Sequence, residues 1–107
     1  KLLDAVTALS GSGPAFFCAV LEALSDGGSK MGLPADVANS LALQTMAGTA
    51  ATLQATGESP ESLRKRVSSP GGTTLAGLAA LESHSLHEAL VATIKAATER
   101  SRELGNS

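Results

Sequence analysis

Residues 15–26 read AFFCAVLEALSD, and this stretch decides the fold class. It is apolar almost all round at helical spacing, which predicts a helix that is buried on most sides. The composition of the chain agrees, since its 107 residues include 19 Ala and 16 Leu against five Val and one Ile. Ala and Leu favour helices and β-branched residues favour strands, so we expect an all-α domain.

Glycine and proline divide the chain into six predicted helices. A short helix over 2–9 ends at the break Ser10-Gly11-Ser12-Gly13-Pro14, after which the apolar helix begins and runs to Gly32. Pro34 opens a helix over 35–55, and Gly57 is a suitable C-terminal stop for it. No segment alternates at period two, so no strand is expected. The remaining predicted helices are 60–67, one that carries Leu75, Leu78 and Leu81, and 86–104, the last with a capping box at Ser85 and Glu88.

Length, charge and composition exclude several classes of protein. A chain of 107 residues makes one domain, 1–107, and leaves no room for a second. The net charge is −2 and only two residues are aromatic, which argues against a nucleic-acid partner. We see no signal peptide at the start and no stretch approaching the roughly 20 apolar residues of a membrane span, so no membrane partner is expected.

The lone cysteine indicates a reducing compartment. Cys18 has no partner for an internal disulfide and sits in an apolar run, so a buried, inert thiol is the expected state. We expect a cytoplasmic protein. Because Ala and Gly bury little area, such a helical chain also needs close helix contacts or a partner chain, which is a first indication of obligate oligomerisation.

The densest turn signal is Pro70-Gly71-Gly72-Thr73-Thr74, which we call the Pro70–Thr74 turn. Two glycines let the backbone fold tightly, and the helix start that follows exposes N–H groups and a positive dipole end, which suit a carboxylate or phosphate. The hydroxyls of Ser69, Thr73 and Thr74 add donors. From spacing alone, a plain interhelical turn with Thr74 as N-cap is favoured.

Other candidate groups have ordinary structural explanations. The basic run Arg64-Lys65-Arg66 is typical of a solvated face, although it could extend an anion-binding surface. His84 and His87 are expected at the surface with no third ligand, so no metal site is predicted. Glu22, Asp26 and Lys30 form a charged stripe at a spacing of four. No Ser–His–Asp or Cys–His set is apparent.

Three segments of the chain form one recognisable pattern. They are Ala8-Leu9-Ser10-Gly11-Ser12-Gly13-Pro14-Ala15, then Asp26-Gly27-Gly28 with Met31-Gly32-Leu33-Pro34, and then Val67-Ser68-Ser69-Pro70-Gly71-Gly72-Thr73-Thr74 with Leu81-Glu82. Together these segments resemble pyrroline-5-carboxylate reductases. Their order and separations match as well, and the resemblance covers essentially the whole chain.

The resemblance implies an oxidoreductase that reduces 1-pyrroline-5-carboxylate to L-proline with NADPH or NADH in proline biosynthesis. Such enzymes join an N-terminal Rossmann domain, which binds the cofactor, to a C-terminal all-α domain that dimerises by interleaving its helices. Many build decamers from five dimers. The chain resembles that C-terminal domain alone, so it is not expected to turn over by itself.

The resemblance also implies roles for the Pro70–Thr74 turn. Backbone N–H groups around Gly71, Gly72, Thr73 and Thr74, with the Ser69 hydroxyl, would hold the substrate carboxylate. The Thr74 hydroxyl would act catalytically by hydrogen-bonding the ring nitrogen, whose protonation makes the imine carbon open to hydride attack. Arg66 would face the cofactor.

Two alternatives stay open at this point. The chain could be a non-catalytic helical module that self-associates, with the turn serving only as a cap. It could also be the corresponding domain of a related reductase with another imine or keto substrate. Neither the choice between NADH and NADPH nor that between dimer and decamer follows from these residues.

Overall fold

The computed structural model describes residues 2–105, and all its regular elements are helices. The helices are α1 (Leu2–Val6), α2 (Gly13–Lys30), α3 (Ala35–Thr56), α4 (Pro60–Ser68), α5 (Gly72–Ser83) and α6 (Leu86–Gly105), with a π-helical segment, Thr7–Gly11, between α1 and α2. No strand is present among these residues, which confirms the predicted all-α class.

The predicted break at residues 10–14 is wrong, because the chain stays helical there. Ser12 keeps right-handed helical angles, and its N–H donates to the Thr7 carbonyl at 2.9 Å, five residues back. The wider π turn keeps the backbone helical through the Gly-Ser-Gly sequence. Leu2–Lys30 is therefore one helical run, and counted in this way the described chain has five helices instead of six.

This longer run also changes the prediction about membrane spans. Leu2–Lys30 is 29 residues long and its most apolar window has a mean hydropathy of 1.3, so by length and composition alone it is sufficient to cross a bilayer. The sequence expectation considered uninterrupted apolar residues, whereas the mean hydropathy of a window tolerates the polar residues within this helix. Core helices of soluble proteins have the same properties, so one such helix is weak evidence for a membrane.

The chain divides into two compact units, of which the first comprises residues 1–16 and 72–107. In this unit α1 and the π-helical segment pack on α6, and α5 packs on α6 as well. Ala8 is 1% exposed, and its small side chain permits the close approach. The Ser101 hydroxyl donates to the Asp4 carboxylate at 2.8 Å and so links the two ends of the unit.

The connection between α5 and α6 differs from the predicted capping box. Ser85 has a φ of 57°, in the left-handed region, and its N–H donates to the Glu82 carbonyl at 3.0 Å. An N-cap residue normally has extended angles that aim its side chain at the next turn. Here Ser85 closes α5 instead, and no hydrogen bond joins the Ser85 and Glu88 side chains to each other's backbone within residues 2–105.

The second unit, residues 17–71, contains most of α2 together with α3 and α4. Gly32 (φ 107°) and Gly57 (φ 70°) end α2 and α3 as predicted, since both positions require left-handed backbone. Pro34 is the N-cap of α3. Ser59 caps α4, and its side chain accepts from the Ser62 N–H at 3.1 Å.

Neither unit buries large side chains. The buried apolar residues of the described chain are Ala8 and Ala38, and no large side chain is fully buried. Large apolar residues are exposed throughout, including Leu2 at 82% and Met31 at 85%. Cys18 is also exposed, so its predicted burial within this chain is wrong. The prediction failed because α2 has too few neighbours in its own chain to cover it.

Candidate functional site

The Pro70–Thr74 turn lies between α4 and α5. α4 ends at Ser68, Ser69 leaves it with extended angles (φ −108°, ψ 118°), and the Ser69–Pro70 peptide bond is cis. α5 begins at Gly72, so Thr74 lies inside its first turn and the alternative of Thr74 as N-cap is wrong. The boundary between the two units falls between Gly71 and Gly72.

The structure therefore places the predicted site residues in two sets. Gly72, Thr73 and Thr74 are consecutive in the first turn of α5, where backbone N–H groups have no partner within the helix. Ser69 and Gly71 belong to the preceding segment of the second unit. Three consecutive N–H groups at the positive end of a helix can bind a carboxylate.

The hydroxyls of Thr73 and Thr74 differ from those of the other helical threonines. Six threonines on α3 and α6 donate to the carbonyl four residues earlier at 2.7–2.8 Å. Thr73 and Thr74 have no helical carbonyl at that spacing because α5 begins at Gly72. Within residues 2–105 neither hydroxyl makes a hydrogen bond, and Thr74 is half-buried, so both hydroxyls are available to a ligand.

Arg66 lies in the last turn of α4 and is held by an acidic neighbour. Its guanidinium donates to the Glu58 carboxylate, which also accepts from the Ser62 hydroxyl at 3.0 Å. The hydrogen bond from Arg66 lowers the pKa of the Glu58 carboxyl, and burial partly opposes this shift. The Arg66 guanidinium is therefore engaged within its own chain. Its predicted contact with a cofactor stays a prediction.

The other candidate groups are as exposed as predicted. Lys65 pairs with Glu61 at 2.9 Å, and Lys30 pairs with Asp26 at 3.2 Å, both on solvated helix faces. His84 and His87 are exposed, and the His84 Nδ1 lies 2.9 Å from the Ala80 carbonyl. Over residues 2–105, no group of three or more His, Cys, Asp or Glu side chains is placed to hold a metal ion.

The second unit also contains a large apolar depression between α2 and α3, which we call the α2–α3 groove. Its volume is about 770 Å³, and its lining is apolar apart from two threonines of α3. The two helices approach closely near their connection, where a Cβ on Gly28 would lie 3.3 Å from the Ala38 Cβ. The lining side chains from α2 and α3 include Phe17, Val20, Leu24, Leu41, Ala42, Met46, Ala50 and Leu53.

Threonine hydroxyls in this groove do not make it polar. Thr45 and Thr49 each donate to a carbonyl of α3 at 2.7 Å, so both hydroxyl donors are satisfied within the helix. Sequence reasoning identified the small-residue surfaces of α3. It missed the hydrogen bond from the Ser25 hydroxyl to Asn39 at the edge of the groove, for which the only signal was a serine within an apolar run.

Comparison with protein families and curated proteins gives one consistent result. Residues 1–104 match the family described as pyrroline-5-carboxylate reductase dimerisation. A pyrroline-5-carboxylate reductase of Synechocystis is 50% identical over 105 residues, which cover 98% of this chain and 39% of that protein. The Arabidopsis thaliana protein of the same name is 50% identical over 107 residues, which cover 100% of this chain and 39% of that one. The chain thus spans about two fifths of the length of these curated relatives.

Solved structures agree in fold. A Plasmodium falciparum pyrroline carboxylate reductase with NADP bound superposes with a TM-score of 0.92 at 35% identity, covering 96% of this chain and 42% of that one. A pyrroline-5-carboxylate reductase from Coxiella burnetii superposes with a TM-score of 0.90 at 40% identity, covering 94% and 37%. The likeness therefore extends over nearly the whole of the present chain and a minor part of each relative.

Proposed function

The chain belongs to the pyrroline-5-carboxylate reductase dimerisation family, and from this premise we propose that it is the dimerisation and substrate-binding domain of an enzyme that reduces 1-pyrroline-5-carboxylate to L-proline. Residues 1–107 would form that domain, and NADPH or NADH would bind mainly to a separate Rossmann domain. Family membership implies self-association. The specific partner, substrate and cofactor are what we propose.

One observation carries the dimer proposal: no segment within residues 2–105 fills the α2–α3 groove. Its lining includes Leu24, Leu41 and Phe17, of which Leu24 and Phe17 are 60% and 58% exposed. Apolar surface of this extent is normally buried against a partner. A helix of a second copy offers the same small and apolar side chains, so two chains that interleave would supply each other with a core. A decamer of five such dimers stays a prediction.

The substrate proposal depends on the start of α5. The N–H groups of Gly72, Thr73 and Thr74 would bind the substrate carboxylate, with Gly71 and the Ser69 hydroxyl adding to the site. The Thr74 hydroxyl would then hydrogen-bond the ring nitrogen, since no acceptor in the described chain takes its proton. Aligned N–H donors orient the carboxylate of the small ring, and the Thr74 hydroxyl, by donating to the neutral imine nitrogen, would polarise the C=N bond toward hydride attack.

The described residues do not fit a dinucleotide by themselves. The one predicted contact, Arg66, has its guanidinium paired with Glu58, and no strand precedes any glycine-rich helix start within residues 2–105. We therefore assign no chemical step of the cofactor to this chain. Its own part is to bind the carboxylate, orient the ring and hydrogen-bond the nitrogen.

The test is to join this chain to the N-terminal part of the Synechocystis relative and to follow NAD(P)H oxidation with 1-pyrroline-5-carboxylate. We expect turnover by the fusion and none by the chain alone. A well-folded dimeric fusion without activity would contradict the proposed reaction. If proline also fails to bind that fusion, the reading as a non-catalytic helical module would replace it.

A further inference from the structure

One partly buried hydrogen bond ties α2 to α3 beside the groove. The Ser25 hydroxyl donates to the Asn39 side-chain oxygen, and Ser25 is 7% exposed. Among residues 2–105 the other buried polar residue is Ser68, whose hydroxyl donates within α4 to the Arg64 carbonyl at 2.6 Å. Ser25 is thus the buried polar side chain that joins two helices.

A close backbone approach lies one turn further along α2. A Cβ on Gly28 would lie 3.3 Å from the Ala38 Cβ and 3.3 Å from the Leu33 Cδ1. Gly28 is three residues after Ser25, and Ala38 directly precedes Asn39. The hydrogen bond and the tight contact therefore lie together at the closed end of the α2–α3 hairpin.

The closed end of the hairpin continues the groove-lining face of α2. Phe17, Val20, Leu24 and Gly28 line the groove at helical spacing, and Ser25 borders this stripe. Apolar contacts are not directional, so they permit α2 to rotate or slide on α3. A hydrogen bond has a narrow range of distance and angle, so the Ser25–Asn39 bond restricts both motions.

We propose that the Ser25–Asn39 hydrogen bond is a positioning contact that fixes the opening of the α2–α3 groove and thereby the register in which a second copy docks. This inference rests on the proposed dimer. The expected role concerns specificity more than affinity. Asn39 is exposed and can exchange its lost partner for water, so removal of the Ser25 hydroxyl leaves no uncompensated buried group. Single buried polar contacts fix register in other helical assemblies at little gain in stability.

The experiment measures the register directly in the chain itself. A spin label is placed on α4 in a Cys18→Ser, Glu61→Cys background, since Glu61 is an exposed side chain outside the groove. The distance distribution between labels of the two copies is then recorded by pulsed electron resonance. The parent is expected to give one narrow peak.

Two variants remove the bond and two keep it. Ser25→Ala and Asn39→Ala are expected to broaden the distribution about twofold or add a second peak, with the dimer dissociation constant changed less than about tenfold. Asn39→Asp keeps an acceptor oxygen and is expected to retain the narrow peak. Ser40→Ala is the matched control, because Ser40 is an exposed serine of α3 that makes no side-chain hydrogen bond within residues 2–105.

The outcomes separate this inference from the proposed dimer. If the distance distribution is unchanged in both Ser25→Ala and Asn39→Ala, the inference is overturned even if their dissociation constants rise. In that case the bond strengthens the dimer but does not fix its register. A parent chain that is helical by circular dichroism but monomeric overturns the dimer proposal together with the inference. A broadened distribution in Ser40→Ala would also contradict it, because the effect would then be unrelated to this bond.

Discussion

The α2–α3 groove and the Pro70–Thr74 turn are opposite kinds of surface. The groove is about 770 Å³ of apolar lining, and its threonine hydroxyls are satisfied within α3. The turn is a few residues long, and the Thr73 and Thr74 hydroxyls have no hydrogen bond within residues 2–105. In the proposed function, many interchangeable side chains would serve association, whereas a few exact positions would bind the ligand. Substitutions are expected to damage the two functions separately.

The largest effect is expected from a charge in the groove. Leu41→Glu would place a carboxylate among apolar side chains in the dimer, where desolvation of the charge is costly. We expect the dissociation constant of the dimer to rise about 1,000-fold, which corresponds to roughly 4 kcal/mol. Sedimentation equilibrium of the chain measures it.

Leu43→Glu is the matched control for this change. Leu43 lies on the same helix with 56% exposure against 54% for Leu41, but it does not line the groove. A smaller effect is expected from it, since its carboxylate can stay hydrated. Equal loss of the dimer in both variants would show that the groove is not the specific interface.

The second effect concerns the turn and is expected in turnover. Thr74→Val removes the hydroxyl with little change in shape, and in the fusion with an N-terminal part we expect kcat to fall about 10- to 100-fold. Thr93→Val is the control, since it removes a hydroxyl that donates to the Ala89 carbonyl on α6. Dimerisation of both variants should match that of the parent. A normal kcat for Thr74→Val would remove this hydroxyl from the mechanism.

The third effect concerns binding by the backbone of the same turn. A Cβ at Gly72 meets no atom within 4 Å, so we expect Gly72→Val to fold, while its branched side chain adds bulk at the start of α5 where the proposed ligand would bind. We expect proline to bind the fusion at least about tenfold more weakly, as measured by calorimetry. Gly77→Val is the control, because a Cβ there is equally free of contacts. If Gly77→Val weakens proline binding as much, the loss reflects altered α5 and not a blocked site.

Local sequence signals predicted the helices well where an obligatory residue marks their ends. Gly57 requires left-handed backbone and Ser59 caps its helix, so α3 and α4 lie within a residue or so of their predicted bounds. The break at residues 10–14 failed because a glycine inside a helix costs only about 1 kcal/mol, which packing of the π-helical segment on α6 offsets.

The rest of the site depends on contacts that no local pattern contains. Burial of Cys18 was predicted from its apolar neighbours in sequence, yet residues 2–105 leave its side chain exposed. The Ser25–Asn39 bond joins residues 14 apart, and only the geometry of the hairpin brings them together. The turn was visible as a motif, but the resemblance to a known family was needed to give its donors a substrate.

The smallest effect is expected at the α3–α4 connection, residues 57–59, which follows α3 and precedes the turn in the sequence. A substitution there tests whether this connection contributes to association or to turnover. Arg66 lowers the pKa of the Glu58 carboxyl by hydrogen bonding, so this ion pair stabilises the fold above the ordinary carboxyl pKa of 4.5. The contribution is lost as the pH falls through the lowered pKa of the folded state. Because the Arg66 side chain is 60% exposed, Glu58→Gln is expected to lower Tm by at most a few degrees at pH 7 and by nothing measurable once the parent carboxyl is protonated.

Thermal unfolding between pH 2 and pH 7 measures this difference, with Glu61→Gln as the control that removes a more exposed pair on the same helix. The dissociation constant of the dimer and the kcat of the fusion are expected to stay within about twofold of the parent. A large rise in the dissociation constant would instead assign the connection to the groove, and a large fall in kcat would assign it to the turn. Since Arg66 is released by Glu58→Gln, a rise in cofactor affinity in this variant would show that Glu58 withholds Arg66 from the cofactor in the parent protein.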